Sequence, residues 1–179
     1  LVGGASSRMG QPKQTLPLLG ATFAEVLCGR LARRAAPVTL LGGGEVAASL
    51  ASLPRVDDPP GLEGPLAGTL AALRWLPGTA WLIAACDQTR FDESAIDWLL
   101  AQRRPGVWAV LPHGADGHLE PLGAIYEPQA KGPLERLARD GSKGPSALQA
   151  HPKVHTPRIP DALVPCWRSV DSPGDLAAL

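Results

Sequence analysis

The feature that most constrains the fold of this chain is its most apolar run, residues 80–86, Ala-Trp-Leu-Ile-Ala-Ala-Cys, which Asp87 follows directly. The length and composition of this run suit a central strand that is buried on both faces. A strand buried in this way needs helices above and below its sheet. The run therefore favours an α/β protein.

The rest of the chain alternates between helical and strand patterns. The predicted helices are one from the N-cap Thr22 to Pro37, those at 45–53, 65–76 and 129–139, and two that begin at Asp92 and Pro173. The predicted strands are 38–41, 80–86, 106–112, 119–126 and 167–171. Residues 54–64 are rich in proline and glycine and predict a loop, whereas 140–166 show no clear pattern. This alternation predicts a single α/β domain over residues 1–179 with a mostly parallel sheet.

Composition limits the partners and the compartment. The 17 basic and 17 acidic residues cancel, so no global charge argues for nucleic acid or a membrane surface as a partner. The three cysteines, Cys28, Cys86 and Cys166, lack metal-site spacing and predict reduced, buried thiols. With no visible signal peptide, and with the apolar stretch from Leu76 interrupted by proline and glycine, we expect a cytoplasmic protein without a membrane span.

The first thirteen residues predict an anion-binding loop. They contain glycines, serines, Arg8 and Lys13, but no acid. Backbone N–H groups in such a loop form a concavity for anions, and the two cations add charge beside it. We expect a nucleoside triphosphate there, with Arg8 and Lys13 at the surface and unimportant for folding; the alternative is an ordinary surface turn. The two common glycine-loop patterns, GxxxxGK[ST] and GxGxxG, are absent.

Several polar segments should meet at one edge of the sheet. Ligands of open α/β sheets bind beyond the carboxyl ends of the strands, where the opening loop, the glycines at 42–44, the loop at 57–64 and Asp87 are all expected. A carboxylate that follows a buried strand is well placed to bind Mg²⁺ together with phosphate oxygens. The alternative for Asp87 is a loop or helix-cap residue.

Five ordered motifs resemble those of the molybdenum cofactor guanylyltransferases, members of the nucleotidyltransferase superfamily. The opening loop resembles their Gly-Gly-x-Ser-x-Arg-Met-Gly-x-x-Lys, and residues 64–68 match their Gly-Pro-Leu-Ala-Gly. Cys86-Asp87 resembles their Cys-Asp-x-Pro, with Thr89 in place of the proline. Residues 120–126 resemble their Pro-Leu-x-Ala-x-Tyr strand, with core packing as the alternative, and 169–176 resemble their terminal Asn-x-Asn-Thr-Pro-Glu-Asp-Leu.

The resemblance implies a Rossmann-like three-layer α/β/α fold of the nucleotide-diphospho-sugar transferase type, in which a buried strand precedes the opening loop; we expect most of that strand to be missing from this sequence. It implies transfer of GMP from GTP–Mg²⁺ to the phosphate of molybdopterin, with a molybdoenzyme or chaperone to receive the product. The implied catalytic residues are Lys13, Arg8 and Asp87, and Asp87 holds the metal. The implied nucleotide-binding residues are Leu1, Val2, Gly3, Gly4, Ser6, Gly10, Lys13, Asp57 or Asp58 (Asp58 being slightly preferred), Gly64, Pro65, Leu66, Gly68 and Asp87. The implied acceptor-binding residues are Pro121, Tyr126, Ser169 and Asp171.

The departures from the family pattern keep other functions open. The chain contains no asparagine: Ser169 and Asp171 stand where the family has two, and residues 42–44 lack its asparagine near the base. The aspartate at position 171 is more typical of the CTP-dependent cytidylyltransferases. The alternatives are therefore a molybdopterin cytidylyltransferase, a sugar-phosphate nucleotidyltransferase, or a nucleotide-binding protein without catalytic activity.

Overall fold

A mixed β-sheet between two layers of helices forms the centre of the computed structural model, which describes residues 1–3 and 9–177. The strands are β1 (Pro17–Leu18), β2 (Ala21–Thr22), β3 (Leu40–Leu41), β4 (Arg55–Val56), β5 (Trp81–Ile83), β6 (Ala109–Val110), β7 (Ala124–Tyr126) and β8 (Val154–His155). The α-helices are α1 (Phe23–Ala32), α2 (Pro65–Trp75), α3 (Glu93–Ala101), α4 (Lys131–Arg139), α5 (Val164–Trp167) and α6 (Pro173–Ala177). Short 3₁₀ turns cover Lys13–Thr15, Ala48–Leu50, Pro128–Ala130 and Pro145–Ala150.

Strands β1 and β2 form a separate antiparallel hairpin, and the other strands form two groups that the first residues join. One group has the order β5-β7-β6-β8, in which β7 is antiparallel to both β5 and β6 and β8 is parallel to β6. The other is the parallel pair β3 and β4. Between them, the Val2 amide donates to the Leu41 carbonyl at 2.8 Å, and the Leu1 nitrogen donates to the Ala84 carbonyl at 2.7 Å. The start of the opening loop is thus held between the ends of β3 and β5.

Side chains of the strands alternate between the two helical layers, as the pleat of a sheet requires. Trp81 and Ile83 of β5 pack in a cluster with residues of α2 and α4, whereas Leu82 and Ala84 pack in one with residues of α1 and α3. The predicted three-layer α/β/α fold is confirmed, and antiparallel β7 makes the sheet mixed. Within the described residues, no helix has both the length and the apolar character needed to cross a membrane.

The predicted starts of α1 and α3 are confirmed because local side chains cap both helices. The Thr22 hydroxyl accepts from the Glu25 amide at 3.3 Å, and the Thr22 amide donates to the Glu25 carboxylate at 2.7 Å, which completes a capping box. Asp92 caps α3 by accepting from the Ala95 amide at 3.0 Å. Such signals act within one turn, so the sequence alone reveals them.

Three predicted elements are wrong. Residues 45–53 contain only the 3₁₀ turn Ala48–Leu50 rather than a helix, and the predicted loop at 54–64 contains β4. The segment predicted as a strand at 167–171 starts at the last residue of α5. Trp167 is buried against Phe91 and Trp98, at centroid distances of 5.1 and 5.6 Å, so packing between rings takes the place of strand pairing. A two-residue strand such as β4 is too short to show an alternating pattern of apolar residues. It forms because strand β3 pairs with it.

Candidate active site

A cavity of about 300 Å³ opens at the carboxyl ends of β3 and β5, where the sequence predicts a cleft. We call it the central cavity. Its lining consists of Leu1, Val2, Gly3, Lys13, Gln14, Leu41, Asp58, Gly64, Pro65, Gly68, Ala85, Cys86, Asp87 and Leu122. The structure therefore brings the start of the opening loop, the first turn of α2 and the residues after β5 to one place.

Some predicted nucleotide-binding residues lie elsewhere. Leu66 is buried in the core, and its amide donates to the Lys143 carbonyl at 3.1 Å, so neither its side chain nor its N–H faces the cavity. Gly10 and Asp57 are exposed and outside the lining. Gly4, Ser6 and the predicted catalytic Arg8 fall outside the described residues.

Lys13, Asp87 and Asp171 form a cluster at the edge of the cavity, which we call the lysine–carboxylate cluster. The Lys13 ammonium donates to Asp87 Oδ2 at 2.7 Å and to Asp171 Oδ1 at 2.6 Å. Burial alone would lower the pKa of Lys13, but the hydrogen bonds that its ammonium donates to the two carboxylates outweigh this effect and hold that pKa above its ordinary value. The lysine is therefore a full positive charge at any physiological pH.

The expectation that Lys13 lies at the surface is wrong. Its side chain is 14% exposed, against 17% for Asp87 and 41% for Asp171. The ammonium thus pairs with two carboxylates and offsets part of their negative charge in a partly desolvated setting, where charge pairs matter more than they do in open solvent. Lys13 has a structural role besides any chemical one.

Backbone contacts bring Asp171 to Asp87 from the far end of the chain. The amide of buried Val170 donates to the Asp87 carbonyl at 3.0 Å. Next to it, Asp175 accepts from the Ser172 amide at 2.8 Å and from its hydroxyl at 2.7 Å, which fixes the turn into α6. Asp171 was predicted to bind the acceptor; the structure places it in the lysine–carboxylate cluster.

Gln88 stabilises the loop that carries Asp87, and sequence reasoning did not identify it. Its side chain is 2% exposed. It accepts from the Ala85 amide at 3.0 Å and donates to the Leu122 carbonyl at 3.1 Å, with a longer contact of 3.5 Å to the Trp167 carbonyl. These bonds tie the end of β5 to the entry of β7 and to the end of α5. Gln88 therefore helps to hold Asp87 in place without lining the cavity itself.

Asp58 is the member of the acidic pair that lines the cavity, in the gap between β3 and α2. A Cβ atom at Gly42 would lie 3.8 Å from Asp58 Oδ2, and one at Gly68 would lie 3.6 Å from its Oδ1, so the carboxylate faces both glycines. Partial burial raises the pKa of Asp58, and the charge of Asp57 adds to the effect. A Cβ would lie 2.2 Å from the Val2 carbonyl oxygen at Gly42 and 2.3 Å from Leu1 Cδ2 at Gly68, so a side chain at either position would collide with the start of the chain.

The first turn of α2 needs a glycine before it. Gly64 has φ +74°, and a Cβ there would lie 2.8 Å from the Lys143 carbonyl oxygen. Pro65 follows at the first helical position, where a missing N–H costs nothing. The positive end of the helix dipole thus lies beside the cavity and favours an anion or the polar edge of a base.

The predicted acceptor-binding residues do not form one group. Tyr126 is fully buried and donates its hydroxyl to the Pro121 carbonyl at 2.7 Å, so burial raises its pKa and its side chain belongs to the core. Ser169 is exposed and does not line the cavity. From this region only Leu122 reaches the lining. We expected Tyr126 to contact the acceptor, and this prediction is wrong because no part of its ring is accessible.

Gln14 is a further lining residue that sequence reasoning missed. It is 2% exposed and follows Lys13 in the 3₁₀ turn, and its Nε2 would lie 2.5 Å from a Cβ at Gly44. The one available signal was its place directly after Lys13, and polarity alone does not distinguish it from a surface glutamine.

Comparison with known proteins agrees with this geometry. The profile of the family described as "MobA-like NTP transferase domain" matches residues 1–155. The chain belongs to the MobA-like NTP transferase family. A probable molybdenum cofactor guanylyltransferase of Opitutus terrae is 36% identical over 147 residues, which are 80% of this chain and 72% of that protein. A molybdenum cofactor biosynthesis bifunctional protein of Synechocystis is 33% identical over 133 residues, 73% of this chain but only 38% of that longer protein.

Solved structures show the same fold. Molybdopterin-guanine dinucleotide biosynthesis protein A of Archaeoglobus fulgidus superposes with a TM-score of 0.81 at 22% identity, over 99% of this chain and 93% of that one. A Mycobacterium tuberculosis protein solved in complex with manganese has a TM-score of 0.52 at 21% identity, over 84% of this chain and 83% of that one. Nucleotidyltransferases of this kind use a divalent metal. In the described part of this chain, no group of three or more His, Cys, Asp or Glu side chains could hold a metal ion. Pairs of carboxylates such as Asp87 and Asp171 are therefore the candidate metal ligands.

Proposed function

We propose that this protein transfers GMP from GTP to the phosphate of molybdopterin, giving the guanine dinucleotide form of the cofactor and pyrophosphate. The observation that carries the proposal is the lysine–carboxylate cluster at the edge of a cavity between the opening loop and α2, in a chain of the MobA-like family. The relatives named as guanylyltransferases support GTP as the donor. We place the reaction in the cytoplasm, with a molybdoenzyme or chaperone taking up the product.

The proposed reaction needs no covalent catalysis by the protein. The acceptor phosphate is already an anionic nucleophile: its oxygen forms a bond to the α-phosphorus of GTP, and the bond from that phosphorus to the pyrophosphate oxygen breaks. Positioning and charge neutralisation then supply most of the catalysis. Lys13 provides a permanent positive charge at the edge of the cavity, and we assign it to the phosphates of the donor.

The residues present fit a divalent metal. Asp87 Oδ1 is buried and has no hydrogen-bond partner among the described residues, while Oδ2 pairs with Lys13. An unpaired, buried carboxylate oxygen is costly unless a ligand completes it. Mg²⁺ binds few carboxylates together with phosphate oxygens, so Asp87 would hold it, and Asp171 lies within reach of the same position. When bound, the ion would neutralise charge on the phosphates.

Asp58 and the segments around it would receive the nucleoside. Its carboxylate lines the cavity and faces Gly42 and Gly68. A carboxylate accepts hydrogen bonds from ribose hydroxyls or base N–H groups. CTP is the second candidate donor, since position 171 carries the aspartate that is more typical of cytidylyltransferases. We assign the base to guanine on the relatives' names.

Competition between nucleotides tests the proposal. With Mg²⁺ and molybdopterin supplied, we expect GTP to exceed CTP and ATP by at least about tenfold in kcat/KM, which corresponds to about 1.4 kcal/mol. Pyrophosphate release measures turnover, and Asp87→Asn, which keeps the shape and removes the charge, should abolish it while thermal melting shows an intact fold. Preference for CTP would assign the protein to the cytidylyltransferases. If the folded protein releases no pyrophosphate with any nucleotide, the remaining interpretation is a nucleotide-binding protein without catalytic activity.

A further inference from the structure

The Lys13 ammonium occupies the position between Asp87 and Asp171 that a cation would otherwise fill. Both distances, 2.7 and 2.6 Å, are those of strong charge-assisted hydrogen bonds. The lysine is the last residue of the opening loop, and the two acids come from the end of β5 and from the segment before α6. Three distant parts of the chain therefore meet at the Lys13 ammonium.

A divalent metal held by Asp87 and Asp171 would share their two carboxylates with this ammonium. Two cations held on one carboxylate pair repel each other, and the repulsion is strong where water is partly excluded, as it is for Lys13 and Asp87. Binding of a metal to Asp87 Oδ1 and to Asp171 would therefore favour departure of the ammonium from both carboxylates. A lysine has a long flexible stem and can turn to another anion. The phosphates of a nucleotide are such an anion, and Lys13 already lines the cavity in which we place them.

We propose that Lys13 acts as an internal substitute for the metal in the nucleotide-free protein and weakens metal binding until a nucleoside triphosphate draws its ammonium away. The inference rests on the proposed function for the identity of the anion. It makes metal binding dependent on the nucleotide, so that the two bind as a unit. It also predicts that removal of a positive charge from the site strengthens the binding of a metal, whereas removal of an ordinary metal-site residue weakens it.

The test is Mn²⁺ binding to the full chain without nucleotide, measured by calorimetry and by the electron paramagnetic resonance of free Mn²⁺. We expect Lys13→Ala to bind Mn²⁺ at least about tenfold more tightly than the unchanged protein. Lys143→Ala is the matched control: it removes the same charge close to the cavity, but its ammonium contacts Glu63 in an exposed pair. That control should change the affinity by less than about twofold, as expected for exposed charges.

Two further variants keep the test decisive. Lys13→Ala combined with Asp171→Ala should lose the gain, because the second carboxylate of the pair is gone. Lys13→Met retains the apolar stem and replaces Lys13→Ala if the alanine variant fails to fold by circular dichroism. Unchanged or weaker Mn²⁺ binding in a folded Lys13 variant would overturn the proposal, and so would a gain of equal size in Lys143→Ala.

The outcome is separate from that of the proposed reaction. Mn²⁺ binding to the nucleotide-free chain needs neither turnover nor molybdopterin. A protein that transfers GMP but shows no gain in Lys13→Ala would refute only the competition. A protein that shows the gain but releases no pyrophosphate would refute only the proposed reaction.

Discussion

Gln88→Met should show how strongly the position of Asp87 depends on a residue that does not touch the cavity. Methionine has a similar length and fills the same buried volume, but it cannot accept from the Ala85 amide or donate to the Leu122 carbonyl. The substitution therefore removes hydrogen bonds with little change in packing. The loop from Ala85 to Asp87 then loses its link to β7.

The cost can be worked from these contacts. Two hydrogen bonds of ordinary length are lost, and the 3.5 Å contact to the Trp167 carbonyl adds little. A buried group left without its partner costs about 1–3 kcal/mol, so Gln88→Met should lower the free energy of unfolding by about 2–5 kcal/mol. Turnover measured well below the melting temperature should fall by more than the unfolded fraction explains, because Asp87 is no longer held.

Thr89→Val is the matched control in the same loop. Thr89 is also buried, but its hydroxyl has no hydrogen-bond partner among the residues that the structure describes. Exchange of that hydroxyl for a methyl group should leave stability unchanged or slightly increased, with full activity. Urea unfolding and pyrophosphate release measure both quantities. If Gln88→Met is as stable and active as Thr89→Val, the bracing role of Gln88 is refuted.

Three other predictions concern the walls of the cavity. Gly42→Ala should destabilise the fold by at least about 2 kcal/mol in urea unfolding, because Gly42 has φ +100° and a Cβ would lie 2.2 Å from the Val2 carbonyl oxygen. Gly43→Ala is the control, since a Cβ at Gly43 has open space around it and should not destabilise the fold. Asp58→Asn should weaken GTP binding in calorimetry yet raise the melting temperature at neutral pH. Folding raises the pKa of the Asp58 carboxyl, so its ionisation destabilises the folded protein as pH rises from the pKa in the unfolded chain to the pKa in the folded protein. An amide does not ionise and avoids that loss of stability. Lys13→Ala should lower kcat/KM for GTP about ten- to hundredfold. It should also lower the free energy of unfolding, because Asp87 and Asp171 lose the ammonium with which they pair. Normal turnover in this variant would place the triphosphate elsewhere.

The elements that the sequence predicted correctly are those set by neighbouring residues. Thr22 and Glu25 cap α1 within one turn, Asp92 caps α3, and Pro65 begins α2, so short patterns were enough. The apolar run at 80–86 likewise indicated a buried strand, since its burial follows from its own composition. The start of the opening loop and Asp87 could be assigned to one edge of the sheet because strands of an α/β fold present their carboxyl ends together.

Contacts between distant segments decided the rest. Asp171 meets Lys13 across 158 positions of sequence, and the Val170–Asp87 hydrogen bond and the turn into α6 help to bring it there. β4 exists because β3 pairs with it, and a run of two residues has no pattern of its own.

Polarity by itself also left the burial of single side chains undetermined. Tyr126 and Gln88 are polar residues whose partners come from other loops, so their place in the interior depends on hydrogen bonds that form only when the layers pack. The same holds for Lys13: a lysine in a glycine-rich loop is ordinarily solvated, and it is the meeting of two carboxylates that draws this one inward. The sequence thus determined the chemistry available to the protein, and the tertiary structure determined which of those groups face one another, because a local pattern carries no information about pairing across the chain.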